Sequence, residues 1–294
     1  MFNRFTKVLV PLGWRLRSST LVALAFVSWT CSLEAEEAFP DKAFEAAIRQ
    51  EVFAKRYNNE PITAEDVKSI SRVVGKGKKI ESLEGLQHCK AIMEIDLENN
   101  AISDLEPLRE LKLLQSVNLA GNKIESIEAL VDLKGLQYLE LSRNKVSDLE
   151  PLKAMTNMRS LYFTDNRVTS LSPLSEMKKV WTLYAGKNPI QDFSAIGKLT
   201  WLESLDLHET ELKDFAFLAP LTELKRLTLV KNQIDDLSVL VEMCEKDAAG
   251  SRRFSPFLKL DLRDNPLGEV AKSTQIAKLK ELGLKITLEN ETKP

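Results

Sequence analysis

From residue 70 to residue 267 the apolar positions follow one fixed rhythm. Asn100, Asn122, Asn144, Asn166, Asn188 and Asn232 fall on a 22-residue period, with Thr210 on the beat where asparagine is missing. Each unit reads L-x-x-L-x-L-x-x-N-x-I, with further apolar residues every third place after it. One example is Leu136, Leu139, Leu141, Asn144 and Val146, followed by Leu149 and Leu152. Leu139 and Leu141 alternate as in a strand, so the spacing predicts a short β-strand with both side chains in the core. Apolar residues three apart predict a return on the other side with three residues per turn. The asparagine ends the strand at a tight turn. Its carboxamide both accepts and donates, so stacked asparagines can satisfy the turns of neighbouring units. One unit cannot bury its own apolar face, and stacking supplies the core.

This phrase at this period resembles the leucine-rich-repeat proteins of the short 22-residue subclass, as in the bacterial internalins. A eukaryotic regulatory subunit of a protein phosphatase has the same repeat type. The resemblance covers about residues 70 to 267. It implies an α/β leucine-rich-repeat solenoid with a curved parallel β-sheet on the concave face. Short or 3-10 helices would line the convex face, and a helical N-terminal cap would close one end. It also implies binding of macromolecules on the concave face, without identifying the partner.

An exposed solenoid end needs a cap. After Phe39-Pro40-Asp41, the residues Phe44, Ala47, Ile48 and Val52 share one helical face, with Asp41 placed as N-cap. A second helix start is expected at Thr63, with Asp66 three residues on and Ile62 and Val67 as a hydrophobic staple. Stepping back 22 residues from the first clear unit gives a degenerate one with Ile70, Val73, Ile80, Leu83 and Leu86, and Lys78 in place of asparagine. At the far end Asn265 lies 33 residues after Asn232, one repeat plus eleven residues. The extra stretch reads either as a longer convex helix, Ser238 to Ala249, ended by Gly250, or as a protruding loop. Residues 269 to 282 read as a helix, and 285 to 288 as a closing edge strand. The expected organisation is residues 1–35 a signal peptide, 36–69 an N-terminal helical cap, 70–267 about nine repeats with an eleven-residue insertion near 244–256, and 268–294 a C-terminal cap.

The signal peptide rests on a basic stretch, Arg4, Lys7, Arg15 and Arg17, followed by the apolar run 21–27 and a cleavage site after Ala35. A run this short falls below the roughly 20 apolar residues needed to span a bilayer. Cleavage would place the product in the periplasm or outside the cell, with no membrane span. An uncleaved anchor and a cytosolic regulatory subunit resembling the phosphatase regulator are the alternatives.

Net charge is −2 for the chain; without residues 1–35 the 41 basic and 43 acidic residues become 37 and 42, or −5. That balance offers no reason to expect nucleic acid as a partner. The chain carries two histidines, His88 and His208, and beyond residue 35 two cysteines, Cys89 and Cys244. These two cysteines lie about seven repeats apart, roughly 34 Å at about 4.8 Å per strand, too far for a disulfide. No Gly-rich phosphate loop, nucleophile elbow or paired-cysteine zinc spacing occurs. The expectation is therefore a non-enzymatic monomer with no catalytic residue, metal or cofactor.

The repeat also sorts residues by face. Places 3, 5, 7 and 8 of each unit point to the concave side or its rim. Three of the four tyrosines fall there, Tyr138, Tyr162 and Tyr184, in consecutive units. Trp181 lies beside them. The expected ligand-binding residues are Tyr138, Glu140, Tyr162, Trp181, Tyr184, Asp206 and His208, for a protein or glycan ligand. The first concave strand offers Glu94, Asp96 and Glu98, the last two Arg226, Lys231, Lys259 and Arg263, a gradient that could orient a partner.

Overall fold

The computed structural model describes residues 38–289 except Ser251. The expected signal peptide, residues 1–35, and the last residues of the expected C-terminal cap, 290–294, lie outside the described residues. Ten three-residue strands form one parallel sheet in sequence order, β1 (Arg72–Val74), β2 (Glu94–Asp96), β3 (Ser116–Asn118), β4 (Tyr138–Glu140), β5 (Ser160–Tyr162), β6 (Thr182–Tyr184), β7 (Ser204–Asp206), β8 (Arg226–Thr228), β9 (Lys259–Asp261) and β10 (Lys285–Thr287). Each strand pairs with the residue 22 positions on until the insertion, where Arg226 meets Lys259. The middle residue of β1 to β9 points into the core and is buried.

Opposite the sheet the units from β1 to β7 return through short 3-10 helices, such as Glu150–Leu152 and Ser172–Glu176. Both carry proline inside the first turn, where no N–H is needed. Strands stack at about 4.8 Å. The bulkier helices need more room, so the sheet is the shorter, inward-curving wall.

The asparagines act as the period implies, and each serves three main backbone groups, in its own turn and that of the preceding unit. Asn166 accepts from Val146 N at 2.8 Å and donates to Leu141 O and Phe163 O at 3.0 Å. Asn144 and Asn188 repeat the pattern one unit to either side. Thr210 keeps only part of it. Its hydroxyl donates to Leu207 O at 2.9 Å, while its own N–H turns to Asn232 Oδ1 at 3.0 Å. Pro189, with no N–H, sits on the preceding turn. Ile190 N bonds locally to Asn188 O instead of to an asparagine of the next unit. A hollow of about 670 Å³ opens on the rim at this break, lined in part by Ile190, Phe193 and Leu212. Ala185, small at a core position, stands beside Phe163 at the same place of the preceding unit, and both are fully buried.

At the N-terminal end α1 (Lys42–Glu51) buries Phe44, Ala47 and Ile48. Asp41 caps it, accepting from Phe44 N at 2.9 Å through one oxygen. The other oxygen accepts from Glu81 N and Ser82 N at 2.8 and 3.0 Å, which ties the cap to the first unit. The second helix expected from Thr63 is not formed. The capping box itself closes, with Asp66 accepting from Thr63 N at 2.7 Å and Thr63 Oγ1 accepting from Asp66 N at 3.4 Å. Residues 64–69 then make a run of turns with i to i+3 bonds. Only six residues separate Thr63 from Ile70, where the first repeat begins, too few for a helix beyond its costly nucleus.

The insertion is a helix, α2 (Ser238–Ala249), bounded by Gly250 at φ −120°, so the glycine does not adopt the left-handed cap conformation. In the last unit the first core place passes from Phe257, which is exposed, to Leu258, which is buried. The C-terminal helix carries a π-helical stretch, Ala271–Gln275, ahead of α3 (Ile276–Glu281). Cys89 and Cys244 are free and buried, and burial pushes both thiols up to about 12.

Candidate binding face on the sheet

The outward side chains of the sheet form registered rows. The fifth places run Asp96, Asn118, Glu140, Tyr162, Tyr184, Asp206; the third places run Ser116, Tyr138, Ser160, Thr182, Ser204, Arg226. The three tyrosines stack across these rows. The Tyr138 and Tyr162 centroids lie 5.4 Å apart and tilted, those of Tyr162 and Tyr184 5.0 Å apart edge to face. Both arrangements are favoured aromatic geometries. Tyr184 Oη meets Ser204 Oγ at 3.3 Å. Burial, followed by the nearby Glu140 charge, pushes the Tyr138 phenol up to about 12.

Beside the rings lies a shallow depression of about 410 Å³, lined among others by Glu98, Tyr138, Glu140, Arg143, Lys187 and His208. Burial raises the Glu140 carboxyl, an effect that acceptance of Ser142 N at 2.7 Å only partly offsets. Two glycines shape its walls. At Gly186 an added Cβ would lie 2.2 Å from His208 Nδ1, so the bare backbone is what admits the imidazole. His208 Nδ1 there meets Asp206 Oδ1 at 2.8 Å, and this bond raises the histidine's pKa. At Gly121 an added Cβ would meet Asn99 Oδ1 at 2.4 Å. Across that gap Arg143 reaches two units back, to Glu98 and Asn99 at 3.3 and 3.2 Å. Gly121 also occupies the eighth place of its unit with φ +67°. Arg143, Asp165 and Lys187 adopt the same left-handed backbone there as L residues. That conformation costs roughly 1 kcal/mol each, and it turns their side chains toward the rim.

Of the expected residues, Tyr138, Tyr162 and Tyr184 form one continuous ring row, while Tyr138, Glu140 and His208 line the depression with Asp206 behind His208. Trp181 stands at the sheet edge, 42% exposed, with Nε1 donating to Ser160 Oγ at 3.2 Å and the Arg159 guanidinium 5.3 Å from its ring. Sequence reasoning did not single out Arg143 and Lys187 in the depression, nor Trp201, 59% exposed along the same edge. Trp201 precedes the first leucine of its unit, outside the places the repeat assigns to the concave face. Among the described residues, no group of histidine, cysteine and carboxylate side chains is placed to hold a metal ion, and no helix is long and apolar enough to cross a membrane.

A ten-stranded parallel sheet built on this asparagine ladder is a leucine-rich-repeat solenoid. The family model described as Leucine Rich repeats (2 copies) matches residues 112–154 and 134–176. The fold is similar to that of the bacterial internalins. The structure is similar to an internalin C2 of Listeria monocytogenes, at 22% identity and TM-score 0.64, covering 86% of this chain and 96% of that one. The functional domain of InlJ from Listeria monocytogenes is also similar, at 17% identity and TM-score 0.63, over 85% of this chain and 56% of that one. So is a leucine-rich-repeat protein of Leptospira interrogans, at 19% identity and TM-score 0.61, over 76% of this chain and 62% of that one. At these identities the likeness is one of fold. No curated protein matches the sequence.

Proposed function

We propose that the chain is an exported, non-enzymatic binding protein whose concave face receives a protein ligand. The leucine-rich-repeat fold is a protein-binding scaffold; the residue assignment, the export and the ligand class are the further steps. The observation that carries the reading is the row of three stacked tyrosines on the outward side of the sheet. Core packing does not require rings there, and their aromatic contact area comes already ordered, at low entropic cost. Glu140, Asp206 and His208 beside the rings supply polar contacts, and Trp181 extends the aromatic edge. Stacked rings would also suit a glycan.

Crosslinking capture from native extract, followed by mass spectrometry, tests the site. Tyr138→Ala/Tyr162→Ala/Tyr184→Ala is expected to lower recovery of the captured ligand by at least about tenfold, the ~1.4 kcal/mol that loss of one aromatic anchor readily costs. Equal recovery by a folded variant would remove the tyrosines from the site. For export, N-terminal sequencing of the mature protein is expected to read from Glu36. A retained Met1 would overturn cleavage, and fractionation would then separate an uncleaved anchor from a cytosolic regulator.

A further inference from the structure

We propose that the C-terminal end of the concave face docks an extended acidic segment of the protein ligand, a reading that rests on the concave-face function above. Arg226, Lys259 and Lys285 occupy the same place on β8, β9 and β10 and are in direct register. Three cations therefore stand single file over roughly 10 Å at about 4.8 Å per strand. All three are exposed. Among the described residues none has a carboxylate within ion-pair distance. Like charges on adjacent strands oppose one another, so the row is a local cost that an anionic ligand would relieve.

The nearby carboxylates are committed elsewhere. Asp261 is held by Arg263 at 2.7 Å, Glu203 by Lys225 at 2.7 Å and Asp206 by His208 at 2.8 Å. The other end of the face contrasts with this. Asp96 and Glu98 are neutralised there by Lys76 at 3.0 and 3.3 Å, and Glu98 again by Arg143. Of the gradient expected from sequence, Asp96 and Glu98 are thus paired at the acidic end, and Lys231 and Arg263 are paired with Glu209 and Asp261 at the basic end, which leaves Arg226 and Lys259 open.

The row also continues the tyrosine patch. Arg226 Nε donates to Ser204 Oγ at 3.2 Å, and the same hydroxyl meets Tyr184 Oη at 3.3 Å. A ligand lying across Tyr138, Tyr162 and Tyr184 is carried directly onto the cations. A peptide with a few spaced carboxylates fits better than a dense polyanion, because Asp206 and Asp261 flank the row and the chain as a whole is acidic, at −2.

The probe is a fluorescein-labelled peptide of alternating glutamate and serine, binding to the full chain by anisotropy. Arg226→Ser/Lys259→Ser/Lys285→Ser is expected to weaken binding at least about tenfold and to flatten its salt dependence. Lys259→Arg/Lys285→Arg, which keeps the charge, is expected to retain affinity. Unchanged affinity in the serine variant overturns the proposal, as does tighter binding of a heparin oligosaccharide, which would assign the row to a sulfated glycan. Peptide binding that survives Tyr138→Ala/Tyr162→Ala/Tyr184→Ala but not the serine variant sustains this inference even where the tyrosine reading fails.

Discussion

Asn166→Ala is expected to lower the unfolding free energy by about 3 kcal/mol in urea titration. Val146 N would lose its only partner, Asn166 Oδ1 at 2.8 Å, inside a turn closed to water. An orphaned buried amide alone costs roughly 1–3 kcal/mol. Leu141 O and Phe163 O would each lose one of two donors but keep the other, from Asn144 and Asn188 at 2.9 Å. Those two losses contribute on the order of 1 kcal/mol each at most. The ladder thus shares its damage between neighbours, and the effect stays below the sum of three orphaned groups. Asn100→Ala should cost less, because its partners Lys78 N and Gly75 O lie at the more exposed first turn, where water can substitute. A loss below about 1 kcal/mol at Asn166 would show that leucine packing, not the ladder, holds the turns.

Thr210 is the natural version of that experiment. Its hydroxyl saves one carbonyl, and its absent carboxamide coincides with Pro189, which removes an amide from the preceding turn. Two irregularities that look independent in sequence are thereby confined to a single break in the ladder.

The period makes the strands, the asparagine turns and the tyrosine row legible in the sequence, and local helix signals do the same for the α1 cap with Asp41. Each depends on residues close in sequence or a whole number of units apart. Less legible were features in which a side chain crosses units because a neighbour lacks bulk. Arg143 reaches Glu98 over Gly121, and His208 folds onto Asp206 because Gly186 leaves space. The repeat places such residues on a face but does not say how far they travel along it. The turn run after Thr63 escaped for another reason. The capping box is a local signal and formed as expected, but chain length to the first repeat decided against a helix. Lys285 was read only as part of a closing strand, so the cation row was two-thirds visible.

The same contrast between local and long-range signals applies to the insertion, where a single carboxylate fixes the chain after α2. Asp247 Oδ1 accepts from Arg253 N at 2.9 Å; Oδ2 accepts from Phe254 N, Ser255 N and Ser255 Oγ at 3.0, 2.9 and 3.1 Å. Asp247, Phe254 and Ser255 are all buried. Asp247→Ala would strand three backbone amides at once, and hydrogen bonds to a charged group are worth roughly 1.5–3 kcal/mol each. Even with partial relaxation, a loss of about 4 kcal/mol is expected, larger than at Asn166. Burial pushes this carboxyl up, but the amides of Ser255, Phe254 and Arg253 outweigh it and the net shift is downward. A depressed carboxyl stabilises the fold above its unfolded pKa of about 3.9 and loses that contribution as pH falls through the lower folded value. Wild type should therefore lose stability steeply below about pH 4, while Asp247→Asn starts lower and falls less over the same range. Parallel urea midpoints for the two proteins across pH 3–7 would mean that the carboxylate charge does not hold the loop. Held by this carboxylate from within the chain, the loop needs no ligand to order it, and α2 takes the place of the 3-10 helix on the convex wall.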